Sequence, residues 1–212
     1  ADVDLATSAT PEQVTVVADA MGLRVIPTGI AHGTVTVGGL EVTTFRRDIE
    51  TDGRHAVVAF SSDIHLDAAR RDFTMNALYA DADGLVMDPL GGMEDLLARR
   101  LRFVGDAAQR IAEDYLRILR YFRFHAIYCD HGFDGDTLAA ISGNLAGLDT
   151  LSRERIGAEM RKLLAANDPA PSINTMAQTG VLQAILPGAD PQYLAPLVHI
   201  AGEVRSWLAR LA

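Results

Sequence analysis

The pattern of apolar and polar residues changes character near residue 105. Before it, short segments alternate between apolar and polar residues, which is typical of β-strands, with helical segments between them. After it, apolar residues recur every three or four positions, which is typical of amphipathic α-helices. The pattern therefore predicts an α+β fold in which a mixed half is followed by an all-helical half.

In the first half the clearest signal is a β-hairpin, with strands at 34–37 and 40–45 flanking the pair Gly38-Gly39. The segment 46–55 is charged and has no clear period, so we interpret it as a mobile loop. Further strands are predicted at 2–6, 24–28, 57–60 and 85–87, and helices at 10–22, 68–77, 93–98, 107–129, 136–145, 152–166, 170–179 and 193–211.

The stretch 113–124 is predicted to form a two-faced helix. One side is apolar and contains Tyr115, Ile118, Leu119, Phe122 and Ala126, and the other contains Glu113, Asp114, Arg117, Arg120 and Tyr121. Spacings of three and four residues let both acidic residues reach Arg117. Taken alone, this pattern is equally typical of a surface helix with ion pairs.

Composition excludes several classes of protein. The 212 residues carry a formal charge of −9, which excludes a globally basic nucleic-acid clamp, although seven arginines lie between Arg99 and Arg123. The single cysteine, Cys129, excludes internal disulfides and a cysteine-based zinc site, and we interpret it as a small apolar residue on a helix. No apolar run is long enough for a membrane span and no signal peptide is visible, so we expect a soluble, cytoplasmic protein.

The strongest candidate for a metal site is the first strand. Asp2 and Asp4 are one residue apart, so an extended strand projects both carboxylates from the same face. Magnesium prefers such oxygen ligands together with substrate phosphates. Glu41 is the natural third ligand because the hairpin can place it beside the first strand. The alternative is that these carboxylates lie on a solvated strand edge.

A second candidate is the string from Arg70 to Leu78. One of the adjacent arginines, Arg70 and Arg71, is positioned to pair with a nearby carboxylate such as Asp67, and the other with a phosphate. Asp72 is suited to accept a hydrogen bond from a ribose hydroxyl.

Six stretches of this chain, taken together and in order, resemble class II tRNA nucleotidyltransferases (CCA-adding enzymes) and bacterial poly(A) polymerases. They lie at 2–7, 32–35, 41–46, 70–74, 88–96 and 113–117. The resemblance covers nearly the whole chain. It implies a polymerase-β-like nucleotidyltransferase head over 1–104, a helical neck with a base-recognition helix over 105–166, and the start of a helical, RNA-binding body over 167–212.

The resemblance also implies roles for particular residues. Asp2 and Asp4 would bind two Mg²⁺ ions, with Glu41 as a third catalytic carboxylate, and 88–96 would connect head and neck. The nucleotide-binding set would be Arg71, Asp72, Asn76, Glu113, Asp114, Arg117, Arg120 and Arg123. Within the 212 residues the family's Gly-rich stretch with Val-Arg-Asp does not precede Asp2, so we expect a further segment upstream.

The implied reaction is template-independent addition of C and A to the 3′ end of tRNA, from CTP and ATP. Cytosine and adenine both present an amine, which suits the Asp114 carboxylate, beside an acceptor nitrogen, which suits Arg117. Uracil and guanine present a carbonyl oxygen beside an N–H instead. The alternatives are a poly(A) polymerase, an enzyme that adds only CC or only A, and a non-catalytic RNA-binding protein. A segment at 46–55 favours full CCA or A addition, because CC-only enzymes of this family lack a flexible loop there.

Overall fold

The computed structural model describes residues 4–52, 55–201 and 206–211, and for 48–52, 55–57 and 201 it describes the backbone only. Two compact units are present. The first comprises Ala1–Arg71 and Asn76–Gly92, and the second comprises Asp72–Met75 and Met93–Ala212. The finer division into head, neck and body at 104 and 166 stays a prediction.

The first unit is built on a four-stranded sheet in the order β1-β4-β3-β2. Its strands are β1 (Asp4–Thr7), β2 (Val25–Gly29), β3 (Thr34–Val37) and β4 (Leu40–Thr44), with helix α1 (Pro11–Ala20) between β1 and β2. The predicted hairpin is confirmed: β3 and β4 are antiparallel, and Gly38 and Gly39 adopt positive φ angles of 58° and 95°. Strand β1 pairs with β4 in parallel.

Two predictions for the first half are wrong. The segment 46–55 is not a loop, since β5 (Arg46–Asp52) and β6 (His55–Phe60) form an antiparallel hairpin. The register runs from Arg46 opposite Phe60 to Asp52 opposite His55, so pairing along both strands outweighs the lack of a clear period. The predicted helix at 68–77 is also wrong beyond its first two residues, because α2 (Ile64–Ala69) ends at Ala69 and a short 3-10 turn follows at Thr74–Asn76.

Backbone pairing explains why the helix does not continue past Arg70. Phe73 forms a β-bridge with Phe103, the Thr74 amide donates to the Arg102 carbonyl at 3.0 Å, and the Val104 amide donates to the Asp72 carbonyl. The β-bridge requires extended backbone at Phe73, which a helix running through this residue could not provide. The remaining short strands of the first unit are β7 (Tyr79–Ala80) and β8 (Val86–Met87), which pair with each other.

The second unit is helical, and its core is continuous along it. Its helices begin with α3 (Gly92–Leu97), whose first residue belongs to the first unit. The others are α4 (Ala107–Glu113), α5 (Leu116–Tyr128), α6 (Gly135–Ser142), α7 (Arg153–Leu164), α8 (Ala170–Gln178), α9 (Val181–Ile185), α10 (Leu194–Ala201) and α11 (Trp207–Leu211). Helix α9 was not predicted, and the predicted helix at 193–211 is described as α10 and α11. None of the described helices is long and apolar enough to cross a membrane.

The predicted helix at 107–129 is broken at Asp114. That residue has extended backbone, with φ −155° and ψ 106°, and it separates α4 from α5. Its carboxylate accepts a hydrogen bond from the Leu116 amide at 3.1 Å, which is a typical helix-starting contact. Tyr115 then packs against Gly147 so closely that a Cβ there would lie 2.1 Å from its ring.

Tyr121 was predicted on the polar face and is instead 1% exposed. Its ring stacks on Phe103 at 5.8 Å between centroids and lies 6.3 Å from Phe73. The prediction assumed one core-facing side, whereas α5 is surrounded on several sides and buries residues around most of its circumference. Cys129 follows the last residue of α5, where burial raises the pKa of its thiol to about 11.

His125, in the last turn of α5, makes stability dependent on pH. It is 8% exposed, its ring stacks on Phe133 at 3.6 Å, and its Nε2 atom is buried without a hydrogen bond. Burial lowers the pKa of the imidazole, and the nearby carbonyls of Gly132 and His131 offset only part of this effect. The unfolded chain, with an ordinary histidine pKa of about 6.5, therefore binds the proton more readily than the folded chain.

We expect the free energy of unfolding to be fully retained above pH 6.5 and to fall as the pH drops from about 6.5 towards the folded-state pKa, by at most about 1.4 kcal/mol per pH unit from this group. Urea unfolding of wild type and His125→Phe at pH 7.5 and 5.5 measures this contribution. The phenylalanine variant should lose less stability on acidification, whereas His65→Gln, at an exposed histidine, should behave as wild type. Equal acid sensitivity of His125→Phe and wild type would contradict the assignment.

Candidate nucleotide and metal site

The parallel pairing of β1 and β4 places Asp4 directly opposite Glu41. Neighbouring strands are about 4.8 Å apart, and paired residues project from the same face, so the two carboxylates lie side by side. Both residues are exposed to solvent. Asp2 lies outside the described residues, and within the described ones no group of three His, Cys, Asp or Glu residues forms a metal cluster. The described part of the predicted metal site is therefore this carboxylate pair.

The first unit also contains a buried carboxylate that organises the arginines after α2. Asp67 accepts hydrogen bonds from Arg70 Nε at 2.9 Å, Arg71 at 3.0 Å, the Tyr79 hydroxyl at 2.6 Å and the Arg46 amide at 3.2 Å. The sequence predicted that one arginine pairs with Asp67, and both do. The Arg71 side chain keeps 35% of its surface exposed.

Electrostatics hold this cluster in its charged form. Burial would raise the pKa of Asp67, but the hydrogen bond from Tyr79 and the charges of Arg70 and Arg71 outweigh it and hold that pKa below its usual value. The same burial raises the pKa of the Tyr79 hydroxyl to about 12, so tyrosine remains a hydrogen-bond donor at neutral pH. The cluster therefore fixes the position of a guanidinium, Arg71, at the surface of the first unit.

Asp72 belongs to the second unit, where it is 8% exposed. Its Oδ2 atom accepts from Arg120 Nε at 2.7 Å, and its Oδ1 atom accepts from the Phe73 amide. The role of Asp72 at a ribose hydroxyl stays a prediction, and the contact with Arg120 shows that Asp72 orients this arginine. Asn76 lies in the 3-10 turn that follows and is partly buried.

At the end of α4 the predicted contact between Glu113 and Arg117 is confirmed. Arg117 donates to Glu113 Oε2 at 2.5 Å and to the Arg110 carbonyl at 2.7 Å. Glu113 also accepts from Arg110 at 2.8 Å. The Arg117 side chain is 12% exposed, so these contacts fix its guanidinium across the break between α4 and α5.

Asp114 contacts a residue that the sequence did not single out. Its Oδ2 atom accepts from Arg155, near the start of α7, at 2.7 Å. One turn further along α7, Glu159 accepts from Arg123 Nε at 2.5 Å. Both partners lie more than 30 positions away along the chain, and the only signal was their spacing of four on one helix.

Arg120 and Arg123 both approach the ring of Phe124. Their guanidinium carbons lie 5.4 and 4.3 Å from the ring centroid, within the range of cation–π contacts. The two arginines are thus held by carboxylates, Asp72 and Glu159, and by an aromatic ring. Their predicted role in binding nucleotide stays a prediction.

Comparison with known proteins identifies the family. The model described as "Poly A polymerase head domain" matches residues 1–102, and the model described as "Probable RNA and SrmB- binding site of polymerase A" matches residues 132–193. Human "CCA tRNA nucleotidyltransferase 1, mitochondrial" is 47% identical over 173 residues, which is 78% of this chain and 40% of that protein. The chain belongs to the class II CCA-adding enzyme and poly(A) polymerase family.

Further members of this family agree. The CCA-adding enzyme of Geobacillus stearothermophilus is 42% identical over 195 residues, covering 88% of this chain and 46% of that enzyme. The crystal structure of the Bacillus stearothermophilus CCA-adding enzyme in complex with CTP matches with a TM-score of 0.79 and 36% identity, over 93% of this chain and 48% of that one. The predicted fold class, a mixed-sheet head followed by a helical region, is confirmed. The chain spans less than half the length of these members of the family.

Proposed function

We propose that this chain supplies the nucleotidyltransferase and base-selecting parts of a CCA-adding enzyme, which extends the 3′ end of tRNA from CTP and ATP without a template. The pairing of Asp4 with Glu41 on adjacent parallel strands is the observation that carries this proposal. The similarity of the chain to proteins named for CCA addition supports the same function. A magnesium-dependent enzyme of this class needs exposed, adjacent carboxylates that leave room for substrate phosphates.

The donor set fits Mg²⁺, because two exposed carboxylates side by side supply the oxygen ligands that this ion prefers. Asp4 and Glu41, together with Asp2, would hold the ions. When bound, they would activate the 3′-hydroxyl and neutralise the leaving pyrophosphate. Arg71, held by Asp67, is positioned in the first unit to contact a phosphate.

Base selection is assigned to Asp114 and Arg117. The Asp114 carboxylate would accept from the exocyclic amine of cytosine or adenine, and Arg117 would donate to the adjacent ring nitrogen. Glu113 holds the Arg117 guanidinium at 2.5 Å, so its donors have a fixed direction. Uracil or guanine would set a carbonyl oxygen against the Asp114 carboxylate and an N–H against the Arg117 guanidinium, so neither hydrogen bond to the base would form, at a cost of about 1–3 kcal/mol each.

The deciding experiment uses the full chain, a tRNA that ends before CCA, and Mg²⁺. We expect addition of two residues with CTP alone and of CCA with CTP and ATP, resolved as single-nucleotide steps on a sequencing gel. A long A tail from ATP alone would favour the poly(A) polymerase alternative. No incorporation, with bound RNA, would favour a non-catalytic RNA-binding protein.

The segment between β4 and α2 bears on whether the enzyme adds the terminal A or only the two C residues. It is present as the hairpin β5–β6, and enzymes that add only CC are expected to lack it. This supports full CCA or A addition over the addition of CC alone. A cytoplasmic location stays a prediction, since the human relative is named for mitochondria and the bacterial relatives are not.

A further inference from the structure

Helix α7 contacts the proposed base-selecting region at two points. Arg155 and Glu159 lie one turn apart on this helix, and they pair with Asp114 and Arg123. Among the described helices, α5 and α7 pack against each other most extensively. Helix α7 is therefore placed to set the geometry of Asp114, although neither Arg155 nor Glu159 was expected to take part in nucleotide selection.

The geometry of Asp114 depends on few contacts. Asp114 is the extended residue between α4 and α5, and its backbone carbonyl accepts from the Arg117 amide at 3.0 Å. Its two carboxylate oxygens have different partners: Oδ1 accepts from the Leu116 amide at 3.1 Å, and Oδ2 accepts from Arg155 at 2.7 Å. One contact on each oxygen fixes the plane of the carboxylate, and removal of Arg155 would leave only the Leu116 contact to restrain its rotation about Cβ–Cγ.

Solvent exposure distinguishes the pair of Asp114 and Arg155 from the pair of Arg123 and Glu159. The Asp114 and Arg155 side chains each keep 25% of their surface exposed, so a nucleobase can approach the carboxylate while Arg155 stays bound. Each carboxylate oxygen can accept more than one hydrogen bond. The pair of Arg123 and Glu159 is more buried, at 12% and 6%, which suits an anchor between the helices.

We propose that Arg155 is a positioning residue for base selection. It holds the Asp114 carboxylate in the orientation that accepts a hydrogen bond from the amine of cytosine or adenine. This inference rests on the proposed function. It extends that function to a residue 41 positions further along the chain, which does not itself need to touch the nucleotide.

The test measures nucleotide selectivity of the full chain as the ratio of kcat/KM for CTP to that for UTP, in Arg155→Met and Arg155→Lys. We expect the ratio to fall about tenfold in the methionine variant, the effect of a misplaced hydrogen-bond partner, and to be intermediate in the lysine variant. Arg161→Met is the matched control. It removes an exposed arginine from the same helix, one that contacts only the ring of Trp207 among the contacts described, and its ratio should equal wild type.

A ratio separates positioning from stability. A purely structural loss lowers the amount of folded enzyme and reduces both rates equally, which leaves their ratio unchanged. Wild-type selectivity in both Arg155 variants would overturn this inference and leave the proposed function intact. If Arg155→Met does not fold, the ratio in Arg155→Lys decides in the same way. A wild-type chain that adds UTP as readily as CTP would instead contradict the proposed function itself.

Discussion

Replacing Asp4 with asparagine is expected to lower the rate of nucleotide incorporation by about a thousandfold. The double variant with Asp2→Asn should lose incorporation more completely. The amide removes a negative charge from the carboxylate pair that Asp4 forms with Glu41. Metal ions supply several kcal/mol of charge stabilisation in such transfers, and about 4 kcal/mol corresponds to this loss of rate. Single-turnover addition of CMP to a tRNA substrate measures it.

Nucleotide binding should survive this change, because the contacts assigned to the base lie at Asp114 and Arg117. Equilibrium dialysis with labelled CTP tests that expectation. Asp19→Asn, at an exposed acidic residue of α1, is the control for loss of charge in the same unit. Turnover retained in the Asp2 and Asp4 double variant would show that these carboxylates are not metal ligands.

Arg117→Ala is expected to relax base selection by about ten- to a hundredfold, since each unpaired buried group costs about 1–3 kcal/mol. Asp114→Ala should have a comparable effect. Loss of Arg117 leaves Glu113 paired with Arg110, so the end of α4 retains a compensated charge. The measurement is incorporation of CTP against UTP and of ATP against GTP.

Metal binding should be unchanged in both variants, which titration of Mg²⁺ or Mn²⁺ in the presence of nucleotide can establish. Arg99→Ala removes an exposed arginine of the second unit that pairs with Asp130, and it should leave discrimination as in wild type. Wild-type discrimination in both Arg117→Ala and Asp114→Ala would refute the assignment of these residues as a protein template.

Local patterns predicted the parts of the fold that depend on neighbouring residues. The hairpin of β3 and β4 follows from two glycines between alternating strands, and α1 begins with the capping box of Thr10 and Gln13. That hairpin was also the reason to place Glu41 near the first strand, and the structure pairs it with Asp4. The register of the parallel strands needed the structure.

Contacts between distant parts of the chain were not predictable in the same way. The break at Asp114 has no glycine or proline to signal it, and it is stabilised by a side-chain contact to Leu116 and by Arg155 on another helix. Residues 72–74 leave the helical pattern because they pair with 102–104, about 30 positions later. In both places tertiary contacts outweigh the local preference for helix.

The four residues Asp72–Met75 have a consequence for dividing this protein into fragments. They precede the last part of the first unit along the chain, yet they complete the helical unit. Phe73 is fully buried there, with its ring 4.8 Å from Phe103, and the Thr74 hydroxyl donates to the buried Asp95 at 2.6 Å. A recombinant fragment starting at Met93 would lack this central side chain and leave a cavity in its aromatic core, and such cavities commonly cost about 3–5 kcal/mol for a lost phenylalanine. The two units are therefore not interchangeable modules for fusion or domain exchange, even though each is compact.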